Sequence, residues 1–112
     1  MKTRELRGVA LDWAVAKCDG VINGDALDVG FVREVGYTPS TDWEQGGPII
    51  ECEGINLDQY AKNPSWSAWT PAPEQPTGEA QAYGPTPLIA AMRCYVASKL
   101  GDDIEVPNDL FQ

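Results

Sequence analysis

Residues 37–53, YTPSTDWEQGGPIIECE, decide how many helices and strands this chain can have. The stretch reads as a break-rich corner followed by a short strand. Tyr37-Thr38-Pro39 is extended, because the residue before a proline avoids the helical region. Ser40 or Thr41 can cap a single helical turn through Asp42, Trp43, Glu44 and Gln45, which Gly46-Gly47 ends. Pro48 then feeds Ile49-Ile50-Glu51-Cys52-Glu53 as a strand. A capped turn presents free backbone N–H groups beside hydroxyls and an indole, equipment for a small anion or polar ligand. The same Ser, Thr and Asp can equally satisfy the turn's own backbone while Trp43 plugs the core, and the residues leave both readings open.

Working outward, residues 3–18 carry a helical pattern. Leu6, Val9, Ala10, Trp13, Ala14 and Cys18 share one face of a 3.6-residue period, Thr3 can cap the start, and Cys18-Asp19-Gly20 reads as the stop. Gly8 is a weak point, costing about 1 kcal/mol against alanine. Trp13 is a core anchor. Residues 20–28, GVINGDALD, form a turn region around Asn23-Gly24-Asp25, whose oxygens lack the ligand spacing of an EF-hand. Residues 29–36, VGFVREVG, have strand character.

On the other side, Gly54 begins a turn, and Leu57 and Tyr60 lie back on the core. In Ser65–Thr70, strand alternation sends Trp66 and Ala68 to one face and Trp69 to the other, so one indole should stand near the surface. Residues 71–85, PAPEQPTGEAQAYGP, are irregular by composition, either a solvated linker or a flap over a neighbouring pocket. A second helix is the firmest element: Thr86 is its N-cap, Pro87 its first residue, and Leu88, Ala91, Met92, Tyr95, Val96 and Leu100 its apolar stripe before Gly101. Arg93 lies off that stripe, facing solvent or a carboxylate such as Glu51; Cys94 is a small buried filler. Ile104 and Val106 suggest a short terminal strand. The expected fold is α+β, one domain over 1–112: two amphipathic helices on a small antiparallel sheet of three to five short strands with long loops.

Composition bounds the function. The chain has 112 residues, 43% of them apolar, enough for one modest core, and nine prolines and eleven glycines that imply long loops. Its net charge of −9, from eight basic and seventeen acidic residues, disfavours nucleic acid and anionic membranes as partners. Cys18, Cys52 and Cys94 stand far apart, consistent with free thiols in a reducing cytoplasm. No secretory signal and no membrane-length apolar run are expected.

Three runs carry a family resemblance: LDWAVAKC (Leu11–Cys18), STDWEQGGPIIE (Ser40–Glu51) and GPTPLIAAMRCYVASKLGDDIEVP (Gly84–Pro107). In these the chain resembles the NinX family of lambdoid bacteriophages. The family usually has a basic residue at the place of Cys52, so that thiol is no shared functional group. The resemblance implies a small phage accessory protein from a non-structural early region, made in the host cytoplasm, and brings no catalytic residues to carry over.

Enzyme chemistry is poorly supplied. The chain contains no histidine, so neither a Ser-His nor a Cys-His pair can form. It has no phosphate-cradling glycine loop and no zinc-ligand cluster, and no cofactor is called for. The leading expectation is a non-catalytic binder of a small polar or nucleotide-like molecule, using Ser40, Thr41, Asp42 and Trp43 with Trp66 or Trp69, closed by residues 71–85 and assisted by Arg93. In a phage this would suit sequestration of a host defence signal. The alternative is a protein-interaction module acting on a host protein through an exposed tryptophan. An open sheet edge would also allow a homodimer.

Overall fold

The helix expected after Thr86 forms in the computed structural model as helical signals dictate. That model describes residues 2–18, 36–59, 65–101 and 103–104. The Thr86 hydroxyl accepts from the Ile89 N–H at 3.1 Å, Pro87 opens the helix, and Gly101 closes it at φ +83°. This helix, Pro87–Leu100, is α3 here. It is not amphipathic: Leu88, Ala90, Ala91, Met92 and every residue from Cys94 to Ser98 are buried. A helix apolar nearly all round belongs inside a fold, and α3 touches every other described element.

One side of α3 lies on an antiparallel sheet ordered β1-β2-β3, with β1 Asn56–Gln59, β2 Trp66–Pro71 and β3 Glu79–Gly84. Register aligns Leu57, Ala68 and Ala82 across the sheet on the helix-facing side. Asn56, Trp69 and Gln81 align on the outer side, as do Asp58, Ser67 and Tyr83. Ala68, Ala80 and Ala82 are all buried, and small side chains here let α3 approach closely. At Gly84 the approach is tightest, since a Cβ there would stand 2.7 Å from the Ala90 nitrogen. Trp66 is half-buried against the core and Trp69 is 40% exposed, the division that alternation predicts.

Helix α1, Gly8–Cys18, covers another side of α3. It is shorter than expected. Residues Thr3–Glu5 form a separate 3-10 turn, and Gly8 at φ +59° breaks the path between the two. Thr3 does not cap: its hydroxyl donates to the Gly101 carbonyl at 2.7 Å. Ala10 to Ala16 are buried without interruption, Trp13 among them, while Val9 is 36% exposed.

The larger correction concerns residues 43–53. Instead of one turn and a strand they form a continuous helix, α2, Trp43–Glu53. Asp42 is the N-cap, accepting from the Glu44 N–H at 3.0 Å, and Gly54 is the left-handed C-cap at φ +65°. Gly46 and Gly47 are therefore interior residues. Gly46 answers to packing: a Cβ there would collide with the Pro39 carbonyl oxygen and sit 2.6 Å from Leu88 Cδ2. Pro48 has no N–H to donate to the preceding turn, a cost the helix absorbs while Ile49 is buried. The described residues thus hold three α-helices and three strands, an α+β arrangement.

Residues 71–85 also differ from their reading. Glu79–Gly84 is β3, alternating exposed and buried, and residues 72–78 are a tight connection held by Ala72 N–H to Gly78 O at 2.9 Å. Gln75 donates to the Ser98 carbonyl, fastening that connection to the end of α3. Ile104 is buried beside an isolated bridge between Lys2 and Asp103. The turn read over 20–28, most of the strand over 29–36, Tyr60 and Val106 lie outside the described residues.

The two neighbouring glycines of α2 should respond oppositely to alanine. Gly46→Ala has backbone and side chain in its way and should lose about 1–3 kcal/mol. Gly47→Ala meets nothing within 4 Å and should gain about 0.5–1 kcal/mol from helix propensity. Urea unfolding of both variants checks the sign of each.

Candidate functional site

The Ser40–Trp43 corner is built to hold itself together. The Asp42 and Thr41 N–H groups both donate to the Thr38 carbonyl, at 2.9 and 3.1 Å. Gln45 reaches back across the turn: its carbonyl oxygen accepts from Thr38 N–H at 2.8 Å, and its amide nitrogen donates to Gly36 O and Asp42 Oδ2, each at 3.0 Å. Asp42 is thus engaged through both oxygens. Ser40 is buried and donates its N–H to Asp12 Oδ1 at 2.9 Å. Thr41 and Trp43 are on the surface, the indole 55% exposed beside a shallow depression of about 220 Å³ that Thr86, Pro87 and Ile89 complete.

Asp12 is the buried carboxylate under that corner. Burial pushes its pKa above the ordinary value, and the Ser40 side chain and N–H beside it oppose that push. A carboxylate with a raised folded pKa contributes stability that is present below its unfolded pKa and lost as pH rises through the folded one. Asp12→Asn keeps an acceptor for Ser40 and removes the charge. The stability of Asp12→Asn relative to wild type should therefore increase from pH 4 to pH 7. Asp12→Ala strips the acceptor from a buried N–H and should cost about 1–3 kcal/mol. Chemical denaturation across that pH range tests both.

Trp66 and Trp69 lie in the sheet, and neither is among the described residues that line the depression at the corner. Trp69 lies on the face of the sheet away from α3, where Tyr83, 48% exposed, is its diagonal neighbour through the Ser67–Tyr83 and Trp69–Gln81 pairs. Of the residues expected to form a site, Arg93 alone lines a large cleft. Its guanidinium is half-buried and bonds to backbone carbonyls, not to Glu51. Nε donates to the Leu6 carbonyl at 2.7 Å and Nη1 to the Tyr83 carbonyl at 2.8 Å. These two bonds join the break between the 3-10 turn and α1 to the end of β3, and they fix the plane of the guanidinium. Three of its five N–H donors remain.

The cleft that Arg93 lines has a volume of about 760 Å³. Lys2, Arg4 and Glu5 from the 3-10 segment form another part of its wall, and Gln81 and Tyr83 the β3 part. Among the described residues, three cations and one carboxylate line it, a local balance of +2 in a chain whose net charge is −9. Burial first, and the Arg7 cation second, lower the Arg93 pKa; a guanidinium still stays charged. Lys2 carries an internal counter-ion, Asp103, at 2.7 Å, with both side chains largely solvated. Among the described residues no carboxylate is within ion-pair distance of Arg4 or Arg93. Lys2, Arg4, Gln81 and Tyr83 were not among the expected site residues. The signal for two of them was the clustering of Lys2, Arg4 and Arg7 in the first seven residues of an acidic chain.

The fold and cleft define a small α+β protein with one long helix at its centre and a basic groove at the meeting of its N-terminal segment and β3. The chain belongs to the NinX family: the model for Bacteriophage P22, NinX matches residues 2–99. No curated protein matches it. It is thus a phage accessory protein. Among the described residues no helix is long and apolar enough to cross a membrane.

Proposed function

We propose that this protein is a non-catalytic binder of a small, multiply anionic ligand, held in the cleft between the N-terminal segment and β3. The observation that carries the reading is the convergence of Lys2, Arg4 and Arg93 on one concave surface of about 760 Å³, within the range of small-molecule sites. Arg93 supports it further, because its plane is set in advance by two backbone carbonyls and a preorganised donor loses less freedom on binding. The absence of histidine supports binding without turnover. A phage protein of this kind would act in the host cytoplasm by sequestration, and a host defence signal is a ligand that sequestration would serve.

Inorganic pyrophosphate is the simplest probe. It should raise the melting temperature of the wild-type protein and bind measurably by calorimetry. Arg4 makes no hydrogen bond or ion pair among the described residues, so Arg4→Ala should leave the free protein's stability unchanged. It should weaken pyrophosphate about tenfold, as loss of one charge-assisted contact predicts. Raising salt should weaken it further. No thermal response to pyrophosphate at low salt would sink the reading.

A second reading, a module that docks on a host protein, draws on the outer sheet face with the exposed Trp69 and Tyr83. There Trp69 is 40% exposed and lines neither the basic cleft nor the depression at the corner, and an exposed indole on a sheet face suits a partner. Affinity capture from host lysate should then recover a protein with wild type and lose it with Trp69→Ser. Equal recovery by both removes this reading.

A further inference from the structure

We infer that the ligand of the basic cleft is a nucleotide carrying at least two phosphate charges, with its base against Tyr83 and its phosphates toward Arg4 and Arg93. This rests on the reading of the cleft as an anion site and goes further in naming the ligand class.

The cleft is chemically divided. Its charge comes from the 3-10 segment and from α3, as the cations Lys2, Arg4 and Arg93 against the one carboxylate Glu5 among the described residues. Its β3 side is neutral and is lined by Gln81, Ala82, Tyr83 and Gly84, with Ser65 near β2 also in the lining. A simple oxyanion would satisfy only the first part and occupy a small share of 760 Å³. Tyr83 has half its surface exposed, and register places Gln81 two residues away on the same face of β3. A flat aromatic ring fits such a wall, because every base has a π-face to stack and an edge that an amide can hydrogen-bond. Three dispersed cations in turn suit more than one phosphate, since Lys2 and Arg4 come from a different element than Arg93. The tie from Arg93 Nη1 to the Tyr83 carbonyl holds the two halves next to each other.

Calorimetry on the full chain with pyrophosphate, and with adenosine, guanosine, cytidine and uridine diphosphates, tests the inference. At least one nucleoside diphosphate should bind about tenfold or more tightly than pyrophosphate, the gain that one stacked base supplies. Tyr83→Ala should abolish that gain and leave pyrophosphate affinity within about twofold, while Tyr83→Phe keeps both. If pyrophosphate binds and no nucleoside diphosphate binds more tightly, the nucleotide inference is overturned and the anion reading stands. If the gain persists in Tyr83→Ala, the inference is also overturned, since the base then lies elsewhere. If neither probe binds, both readings fall.

Discussion

The close contact between α3 and the sheet is the constraint on which the rest of this structure depends. Ala68, Ala80, Ala82 and Gly84 keep the sheet's inner face low, and Ala90, Ala91 and Cys94 do the same for the helix. Cys94 shows how dry this seam is: burial raises its thiol pKa to about 12, and its sulfur lies 3.4 Å from the Ala80 carbonyl oxygen. Once α3 is seated this deeply, its other flanks are also apolar and must be covered, and α1 and α2 cover them. The fold is thus a buried helix with everything else arranged as its lining. Small side chains supply little area each, and what they contribute is proximity, which strengthens every dispersion contact along the seam.

Local signals that act within a few residues were legible. Thr86-Pro87 and Gly101 delimit α3 because cap chemistry depends only on near neighbours. The two faces of Trp66 and Trp69 followed from strand geometry alone. The errors came where a residue answers to something distant in sequence. Gly46 reads as a stop locally, yet it is needed by Pro39 and Leu88. Arg93 reads as facing solvent or a carboxylate such as Glu51, and its bonded partners are the carbonyls of Leu6 and Tyr83. β3 was hidden differently: EAQAYG alternates cleanly, but its alanines are weak strand formers and prolines surround it.

The corner and the cleft differ in how their polar groups are spent. In the corner, Gln45, Asp42 and Asp12 are matched to backbone groups of the turn, so a dense run of Ser, Thr and Asp ends as internal wiring. In the cleft, charges from the N-terminal segment and from α3 meet with fewer internal partners. Turn chemistry is conspicuous in a sequence because it is contiguous. A cleft assembled from residues 2, 4, 5, 65, 81–85 and 93 leaves no contiguous trace.

The double tether of Arg93 has an evolutionary consequence. Leu6 and Arg93 are 87 positions apart, and one guanidinium serves both the joint between them and the charge of the groove. Lysine offers no rigid fork with which to hold two carbonyls and still present donors in a set plane. Under the proposed anion-binding role, selection on recognition and selection on folding fall on the same codon. In that role a lineage could retune the groove through its rim, at residues 4 or 81, far more freely than at its base.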